Sequence, residues 1–147
     1  MDFDFPTEII EEGQVKVVVP KLSNYIEKPS DYAPSKAPVF YNPIMEQNRT
    51  IAVLILQVYQ KILGRKLTVC EPMTGCGLRG VRFAIEVDGI HQVLLNDIDL
   101  KSVNLSIFNS EINQVSDKIL VSNEDANLFL SRHAAPKKRC ELCVTKV

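Results

Sequence analysis

The sequence lacks the features that would place it in several large classes of protein. It has no stretch approaching the roughly 20 apolar residues that cross a bilayer. Its first residues, Met1-Asp-Phe-Asp-Phe5, have neither the basic start nor the apolar core of a secretory signal. A formal net charge of -1 gives no overall attraction to nucleic acid. The composition therefore predicts a globular cytoplasmic protein with no membrane association.

Cysteine and histidine offer few metal ligands. The four cysteines do not follow a secreted disulfide spacing. Cys140 and Cys143 form a single Cys-x-x-Cys pair, whereas a structural zinc site needs about four ligands. We therefore expect reduced thiols and no metal. The two histidines are expected at the surface, and a local basic run at residues 137–139 is expected to be solvated.

Short apolar runs alternate with amphipathic stretches after residue 44. Strands are predicted at 67–70, 92–96 and 118–122, and helices at 45–63, 78–87, 100–113 and 126–133. Strands separated by helices of this length form parallel sheets through right-handed crossovers. Residues 45–147 are therefore predicted to form a doubly wound, mostly parallel α/β domain, in which residues 139–147 are a candidate fourth strand.

Residues 1–44 are predicted to form a small N-terminal β segment followed by an irregular wrap. The runs at 7–13 and 15–20 suggest a hairpin, and three prolines between 29 and 38 indicate an irregular surface segment. The helix at 45–63 is expected to be amphipathic. Its apolar positions include Ile51, Leu54, Ile55, Val58 and Ile62. In the helix at 100–113, the core candidates are Val103, Ile107 and Ile112.

A glycine-rich turn joins the first predicted strand of the alternation to the helix that follows it. Gly75, Gly77 and Gly80 fit the pattern G-x-G-x-x-G, and Asp97 lies 20 residues beyond Gly77 at the end of the next strand. Glycines let the backbone approach a ligand closely, and a carboxylate at that strand end can accept both hydroxyls of a ribose. The pattern by itself is a dinucleotide-binding fingerprint.

Two acidic residues favour S-adenosylmethionine over a dinucleotide. Glu71 precedes Gly75 by four residues. A carboxylate there suits the ammonium group of a methionine, whereas a pyrophosphate would gain nothing from it. Asp125, after the third strand, can bond an adenine amino group. The residues leave three interpretations open: a methyl donor, a dinucleotide, or no ligand, with a tight turn at the glycines and Asp97 and Asp125 serving as helix caps.

Three ordered motifs resemble those of one enzyme family, the tRNA (guanine-26-N2)-dimethyltransferases. The stretch Val39-Phe-Tyr-Asn-Pro-Ile-Met-Glu-Gln-Asn-Arg49 is similar to the family signature FYNPxMxxNRD. Gly77-Leu-Arg-Gly-Val-Arg-Phe-Ala-Ile-Glu86 is similar to its GIRGIRYALE-type segment, and Leu95-Asn-Asp-Ile98 to its NDI strand end. The resemblance implies a Rossmann-like methyltransferase that transfers methyl groups from S-adenosylmethionine to the N2 atom of a guanine in tRNA.

The resemblance also implies which residues contact the donor. Asp97 would take the ribose hydroxyls, and Asp125 with the backbone of Ala126 would face the adenine. Arg49 and Arg79 would serve the methionine carboxylate or hold the acids in place.

Two aromatic residues of the first motif, Phe40 and Tyr41, are candidates for substrate binding. Their rings could stack on a target base lifted out of the RNA, as base-modifying enzymes require, or could simply pack against the sheet.

The sequence departs from the family at two points. Thr50 stands where the NRD signature has its acid, which would weaken the hold on Arg49 or on the donor. The catalytic Asp-Pro-Phe-Gly-Ser-Pro motif, which supplies the carboxylate that polarises the guanine amino group, is not in the sequence. We therefore assign no catalytic residue and expect a partial chain with weak or absent donor binding and no turnover. An NAD-dependent oxidoreductase fragment and a non-catalytic remnant module are the alternatives, and the oligomeric state is not indicated.

Overall fold

A computed structural model describes residues 3–26 and 33–134, together with the backbone of residues 142–143. Short 3-10 turns at Leu22–Asn24, Pro34–Lys36 and Pro43–Met45 interrupt the N-terminal part. The strands and helices, in chain order, are β1 (Thr7–Glu12), β2 (Val15–Pro20), α1 (Glu46–Leu63), β3 (Leu67–Glu71), α2 (Leu78–Glu86), β4 (Ile90–Asn96), α3 (Leu100–Ile112), β5 (Ile119–Ser122), α4 (Ala126–His133) and β6 (Leu142–Cys143).

The central sheet is parallel, with the strand order β5-β4-β3-β6. The chain builds outwards from β3 through β4 to β5, then crosses back so that β6 pairs with the other side of β3. This reversal next to β3 creates a crevice at the carboxyl ends of the strands, the usual ligand site of such sheets. The doubly wound α/β prediction is confirmed.

The backbone of β6 lies within the segment predicted as a fourth strand, residues 139–147. The remainder of that segment, the basic run at 137–139 and Cys140 of the Cys-x-x-Cys pair lie outside the described residues.

The N-terminal hairpin shares its core with the central sheet. β1 and β2 pair antiparallel around Gly13, as the sequence predicted. The valines of β2 lie in the same buried cluster as valines of β3 and β4. Hydrogen bonds of Asn109, in α3, also connect the hairpin to the rest of the chain. Its side chain accepts from the backbone nitrogen of Val18 and donates to the Val18 carbonyl oxygen. It also donates to the carbonyl oxygen of Cys76 at 2.8 Å. The hairpin is thereby tied to α3 and to the turn that follows β3.

Helix α1 is confirmed, but most of the apolar positions predicted for it do not face the core. It ends at Gly64, which has a φ of 63° and caps the helix. The buried residues of α1 are Arg49, Val53 and Leu56, and the last two belong to the core cluster. Five of the apolar positions predicted from the spacing are 56–76% exposed: Ile51, Leu54, Ile55, Val58 and Ile62. The periodicity predicted the wrong side of α1 as the buried one, because apolar residues lie on more than one side of this helix.

Burial in α3 agrees with the prediction at one position and differs at another. In α3, Val103 is buried as predicted, whereas Ile112 is 41% exposed because it lies at the helix's last turn. Among residues 3–26 and 33–134, no helix combines the length and apolar character needed to cross a membrane. In the same ranges, no group of three or more His, Cys, Asp and Glu side chains is placed to hold a metal.

Candidate functional site

The candidate site lies where the carboxyl ends of β3, β4 and β5 meet. The last residue of β4, Asn96, is fully buried and holds the three strand ends together. Its amide nitrogen donates to the carbonyl oxygens of Pro72 and Glu124, both at 3.0 Å. Its amide oxygen accepts from Ser122 Oγ at 2.9 Å. The loops that follow the three strands are therefore fixed relative to one another by one side chain.

Two cavities open beside these loops. The larger, of about 700 Å³, is within the size range of a small-molecule site. The narrower, of about 30 Å³, has room for little more than water. Phe40 lines both. The larger cavity is also lined by Met73, Asp97, Ile98, Asp125 and Ala126. The narrower one is also lined by Tyr41, Arg49, Glu71, Thr74 and Arg79.

Glu71 brings a buried negative charge to the narrow cavity. It ends β3, is 3% exposed, and accepts a hydrogen bond from Thr74 Oγ1 at 3.1 Å. Arg79 Nη1 lies 3.6 Å from Glu71 Oε1 and supplies the counter-charge that a buried carboxylate requires. The other terminal nitrogen of Arg79 donates to Asn48 Oδ1 at 3.2 Å. Arg79 thus holds the acid in place, one of the two roles that the family resemblance implied.

Arg49 lines the same cavity from α1, and its guanidinium is fixed in direction. Its Nε and Nη2 atoms donate to the two carboxylate oxygens of Glu12, at 2.7 Å and 2.5 Å. Nη1 donates to the carbonyl oxygen of Asn42 at 3.0 Å. The guanidinium carbon lies 5.9 Å from the ring centre of Tyr41. Burial raises the pKa of Tyr41 to about 12, so its hydroxyl is neutral at physiological pH.

Asp97 connects the end of β4 to the glycine turn after β3. Its Oδ2 atom accepts from the backbone nitrogen of Gly75 at 2.8 Å, and Oδ1 accepts from that of Asp99 at 3.2 Å. The cap of α3 is Asp99, so the interpretation of Asp97 as a helix cap is wrong. Each carboxylate oxygen has two lone pairs, and the side chain therefore retains acceptor capacity towards the larger cavity.

Asp125 caps α4 and also lines the larger cavity. Its Oδ1 atom accepts from the backbone nitrogens of Asn127 at 2.8 Å and Leu128 at 3.2 Å. The cap interpretation is therefore confirmed for Asp125. Both bonds use one oxygen, and no hydrogen bond among the described residues uses Oδ2. The carboxylate and the first helical residue, Ala126, together place an acceptor and a backbone donor at the cavity wall.

Comparison with known proteins places the chain in a family. A sequence model described as N2,N2-dimethylguanosine tRNA methyltransferase matches residues 13–140. The chain belongs to this family. A protein of Pyrobaculum islandicum, named tRNA (guanine(26)-N(2))-dimethyltransferase, is 45% identical over 82% of this chain and 31% of its own length. A protein of the same name from Methanosphaera stadtmanae is 40% identical over 84% of this chain and 30% of its own length.

Solved structures agree with the fold. Trm1 from Pyrococcus horikoshii, described in complex with S-adenosyl-L-methionine, matches with a TM-score of 0.67 and 29% identity, over 86% of this chain and 33% of its own. A SAM-dependent methyltransferase from Agrobacterium tumefaciens matches with a TM-score of 0.67 and 15% identity, over 98% of this chain and 40% of its own, and supports the fold alone. The chain spans about 30% of the length of the curated relatives.

Gly77 and Gly80 of the methyltransferase motif are required by helix packing. A Cβ atom added at Gly77, where φ is 75°, would lie 2.9 Å from Ser106 Oγ in α3. One added at Gly80 would overlap the side chain of Leu95 in β4. Ser106 Oγ also donates to the carbonyl oxygen of Gly75 at 3.0 Å. The close approach of α2 to α3 and β4 thus accounts for both glycines, and a ligand contact at Gly77 stays a prediction.

The two aromatic residues of the family's first motif have different surroundings. Tyr41 is 7% exposed and belongs to the buried core cluster, which corresponds to the packing alternative. Phe40 is partly exposed and forms part of the wall of both cavities. Stacking on a target base stays a prediction, and Phe40 is the better placed of the two.

The sequence analysis missed a buried ionic cluster next to the site. Arg82 donates to Glu12 Oε1 at 2.9 Å, to Thr50 Oγ1 at 3.0 Å, and to both oxygens of Glu86 at 2.8 Å and 2.9 Å. The hydrogen bonds that Arg82 donates to Glu86 and to Glu12 raise its pKa, although burial alone would lower it. Thr50, at the family's NRD position, therefore serves as an acceptor for Arg82. Arg82 and Glu86 are four residues apart in a predicted helix, and this spacing could have predicted their ion pair. No feature of the sequence near Glu12 indicates that it joins the cluster.

Proposed function

We propose that this chain is the donor-binding part of a tRNA guanine-N2 methyltransferase, which dimethylates guanine-26 of tRNA with S-adenosylmethionine. The observation that carries the proposal is the Asp97 carboxylate, hydrogen-bonded to Gly75 across the glycine turn and lining a cavity of about 700 Å³. A carboxylate in that position suits a ribose. The activity in the relatives' names supports the same conclusion.

The larger cavity suits the adenosine half of the donor. Asp97 would accept from the ribose hydroxyls, and Asp125 from the adenine amino group, while the backbone nitrogen of Ala126 would donate to the ring. Met73 and Ile98 are 42% and 72% exposed, and both line this cavity. Apolar side chains at a pocket wall suit the faces of a purine.

The narrow cavity suits the methionine half. Its walls carry charges of both signs, with Glu71 for the ammonium group and Arg49 and Arg79 for the carboxylate. At about 30 Å³ it has to widen to admit an amino acid, and Phe40, which is partly exposed, forms part of the boundary with the larger cavity. The residues present therefore fit the chemistry of the donor.

The donor, when bound, supplies an electrophilic methyl group on a positively charged sulfur. The residues of this chain bind and orient it, so that a nucleophile can approach in line. No residue of this chain is assigned to accept the proton from the guanine amino group. In this proposal, removal of that proton belongs to the share of the relatives' length that this chain does not span, and cytoplasmic location stays a prediction.

Calorimetry with S-adenosylhomocysteine tests the proposal. We expect weak but measurable binding by the wild-type chain, and about tenfold weaker binding or none by Asp97→Ala, because loss of two hydrogen bonds costs on the order of 1–3 kcal/mol. Asp117→Ala, at an exposed position outside both cavities, is the matched control and should bind as wild type does. Equal heats for wild type and Asp97→Ala would remove Asp97 from the site.

The oxidoreductase alternative is tested with NADH. A pyrophosphate at the glycine turn would lie beside the buried carboxylate of Glu71, which repels it. We therefore expect no change in NADH fluorescence on addition of the chain, and a saturable change would favour the dinucleotide.

A further inference from the structure

We infer that Glu12, in the N-terminal hairpin, is a positioning residue of the donor site that acts through Arg49. This inference rests on the proposed function. Glu12 does not line either cavity. It is nevertheless 3% exposed, and its carboxylate binds Arg49 through two parallel hydrogen bonds. A bidentate pair fixes a guanidinium in direction as well as in position.

The charges around Glu12 balance only as a group. Glu12 contacts Arg49 and Arg82, and Glu86 contacts Arg82 as well. Two carboxylates and two guanidiniums therefore neutralise one another, with side chains that are at most 9% exposed. Arg82 pairs with both Glu12 and Glu86, whereas Arg49 pairs with Glu12. Loss of Glu12 therefore leaves the charge of Arg49 uncompensated and that of Arg82 still paired.

Arg49 transmits the position of Glu12 to the cavity. Its remaining terminal nitrogen donates to the carbonyl oxygen of Asn42, in the segment that also carries Phe40 and Tyr41. This segment and Glu71 form walls of the same narrow cavity. Without Glu12, we expect Arg49 to turn towards Glu71, the buried carboxylate in the wall of this cavity. Both groups would then be unavailable to the charged ends of the donor's methionine.

The hairpin itself is anchored where Glu12 ends β1. The backbone nitrogen of Gln14 donates to Glu86 Oε1 at 3.2 Å, and Gly13 leaves no space for a Cβ atom beside the side chains of Glu86 and Arg82. The turn between β1 and β2 is therefore fixed to α2. In this way a segment far from the glycine turn in sequence fixes the position of a residue in the donor site.

The test compares two ligands on two matched variants. S-adenosylhomocysteine carries the amino-acid end, whereas 5′-methylthioadenosine has the adenosine half without it. We expect Glu12→Gln to bind S-adenosylhomocysteine about tenfold more weakly, since a hydrogen bond to a charged group is worth about 1.5–3 kcal/mol, and to bind methylthioadenosine as wild type does. Glu86→Gln removes a carboxylate from the same cluster without touching Arg49, and should bind both ligands as wild type does, although it too is less stable.

The outcomes separate this inference from the proposed function. Wild type that binds neither ligand would overturn the proposed function and the role of Glu12 with it. Wild type that binds both, with Glu12→Gln unchanged or equally weakened for the two ligands, would overturn the role of Glu12 alone.

A double variant covers the case in which Glu12→Gln does not fold. Glu12→Gln with Arg49→Gln removes one charge of each sign and leaves Arg82 paired with Glu86. If Glu12 acts through Arg49, this double variant binds S-adenosylhomocysteine within about twofold of Arg49→Gln, because the two changes are not additive. A further tenfold loss would show that Glu12 acts by another route and would overturn the inference.

Discussion

Tyr41 lies between the narrow cavity and the buried core, and its hydroxyl links the stability of the fold to pH. Burial raises its pKa from 10.0 to about 12. Because the folded pKa lies above the unfolded one, the unfolded chain loses the proton first. The stability that depends on the neutral hydroxyl is therefore complete below about pH 10 and is lost as the pH rises towards about 12.

We expect this dependence to disappear in Tyr41→Phe. The urea midpoint of unfolding should fall in wild type as the pH rises above about 10, and should fall less steeply in the variant. Tyr59→Phe is the matched control, because the Tyr59 side chain is 38% exposed on α1. Parallel curves for wild type and Tyr41→Phe would contradict the assignment.

Two glycines separate the cost of a strained backbone angle from the cost of a side chain that has no room. Gly64 and Gly77 both have positive φ angles, 63° and 75°. A Cβ atom at Gly64 would meet nothing within 4 Å, whereas at Gly77 it would meet Ser106 of α3. Gly64→Ala should therefore cost only the backbone term, about 1–2 kcal/mol. Gly77→Ala should cost a further 1–3 kcal/mol or so from overpacking. Denaturant unfolding of both variants measures the difference, and equal losses would show that α3 yields to the added atom.

The candidate site shows which residues a sequence pattern can find. Gly77 was recognised from G-x-G-x-x-G, but the pattern could not show that Ser106 leaves no room beside it, since this depends on where α3 packs. Asp97 was identified at a strand end, and its bond to Gly75 forms within a single β-α-β unit, in which β3 and β4 pair side by side. Glu12 was missed because its partners Arg49 and Arg82 are distant in sequence, and only the folded chain brings their charges together.

The periodicity of the chain predicted the elements better than their orientation. The bounds of α4 match the prediction, and those of α1 and α3 differ by one residue, because helix caps and apolar spacing are local properties. The side of α1 that faces inward was wrong. Val53 and Leu56 belong to the buried core cluster, while a longer apolar stripe on the same helix remains exposed. Spacing alone does not show which of two apolar sides meets the rest of the protein.

The exposed stripe of α1 gives a prediction at the scale of elements. Ile55 and Ile62 are 61% and 76% exposed, so charged residues there should leave the fold intact. Exposed apolar patches promote association. Ile55→Lys with Ile62→Lys should therefore lower light scattering at high protein concentration, with a midpoint of unfolding close to that of wild type. Leu56→Ala, at a fully buried position of the same helix, should instead cost about 2–5 kcal/mol. A similar loss of stability in the double variant would show that the stripe is covered in solution.

At the scale of the whole molecule, the hairpin and the sheet form one core. The sequence suggested a division into residues 1–44 and 45–147, and this division stays a proposal. Buried valines of β2 and of the central sheet lie in a single cluster, and Asn109 bonds to the backbone on both sides of the proposed boundary. Composition changes along the chain can suggest segments, but shared burial is a property of the folded protein.

Binding without transfer is the prediction for the chain as a whole. Its residues are proposed to hold a donor, but methyl transfer to an amine also requires an aligned guanine and a group that accepts its proton. The family's Asp-Pro-Phe-Gly-Ser-Pro motif, which supplies that group, is not among the 147 residues. We therefore expect no transfer of labelled methyl groups from S-adenosylmethionine to a tRNA transcript, under conditions in which calorimetry detects S-adenosylhomocysteine. A full-length relative assayed with the same transcript is the positive control. Labelled dimethylguanosine formed by this chain alone would show that its own residues complete the reaction, and Glu71, the buried carboxylate at the end of β3, would then be the first to replace by glutamine.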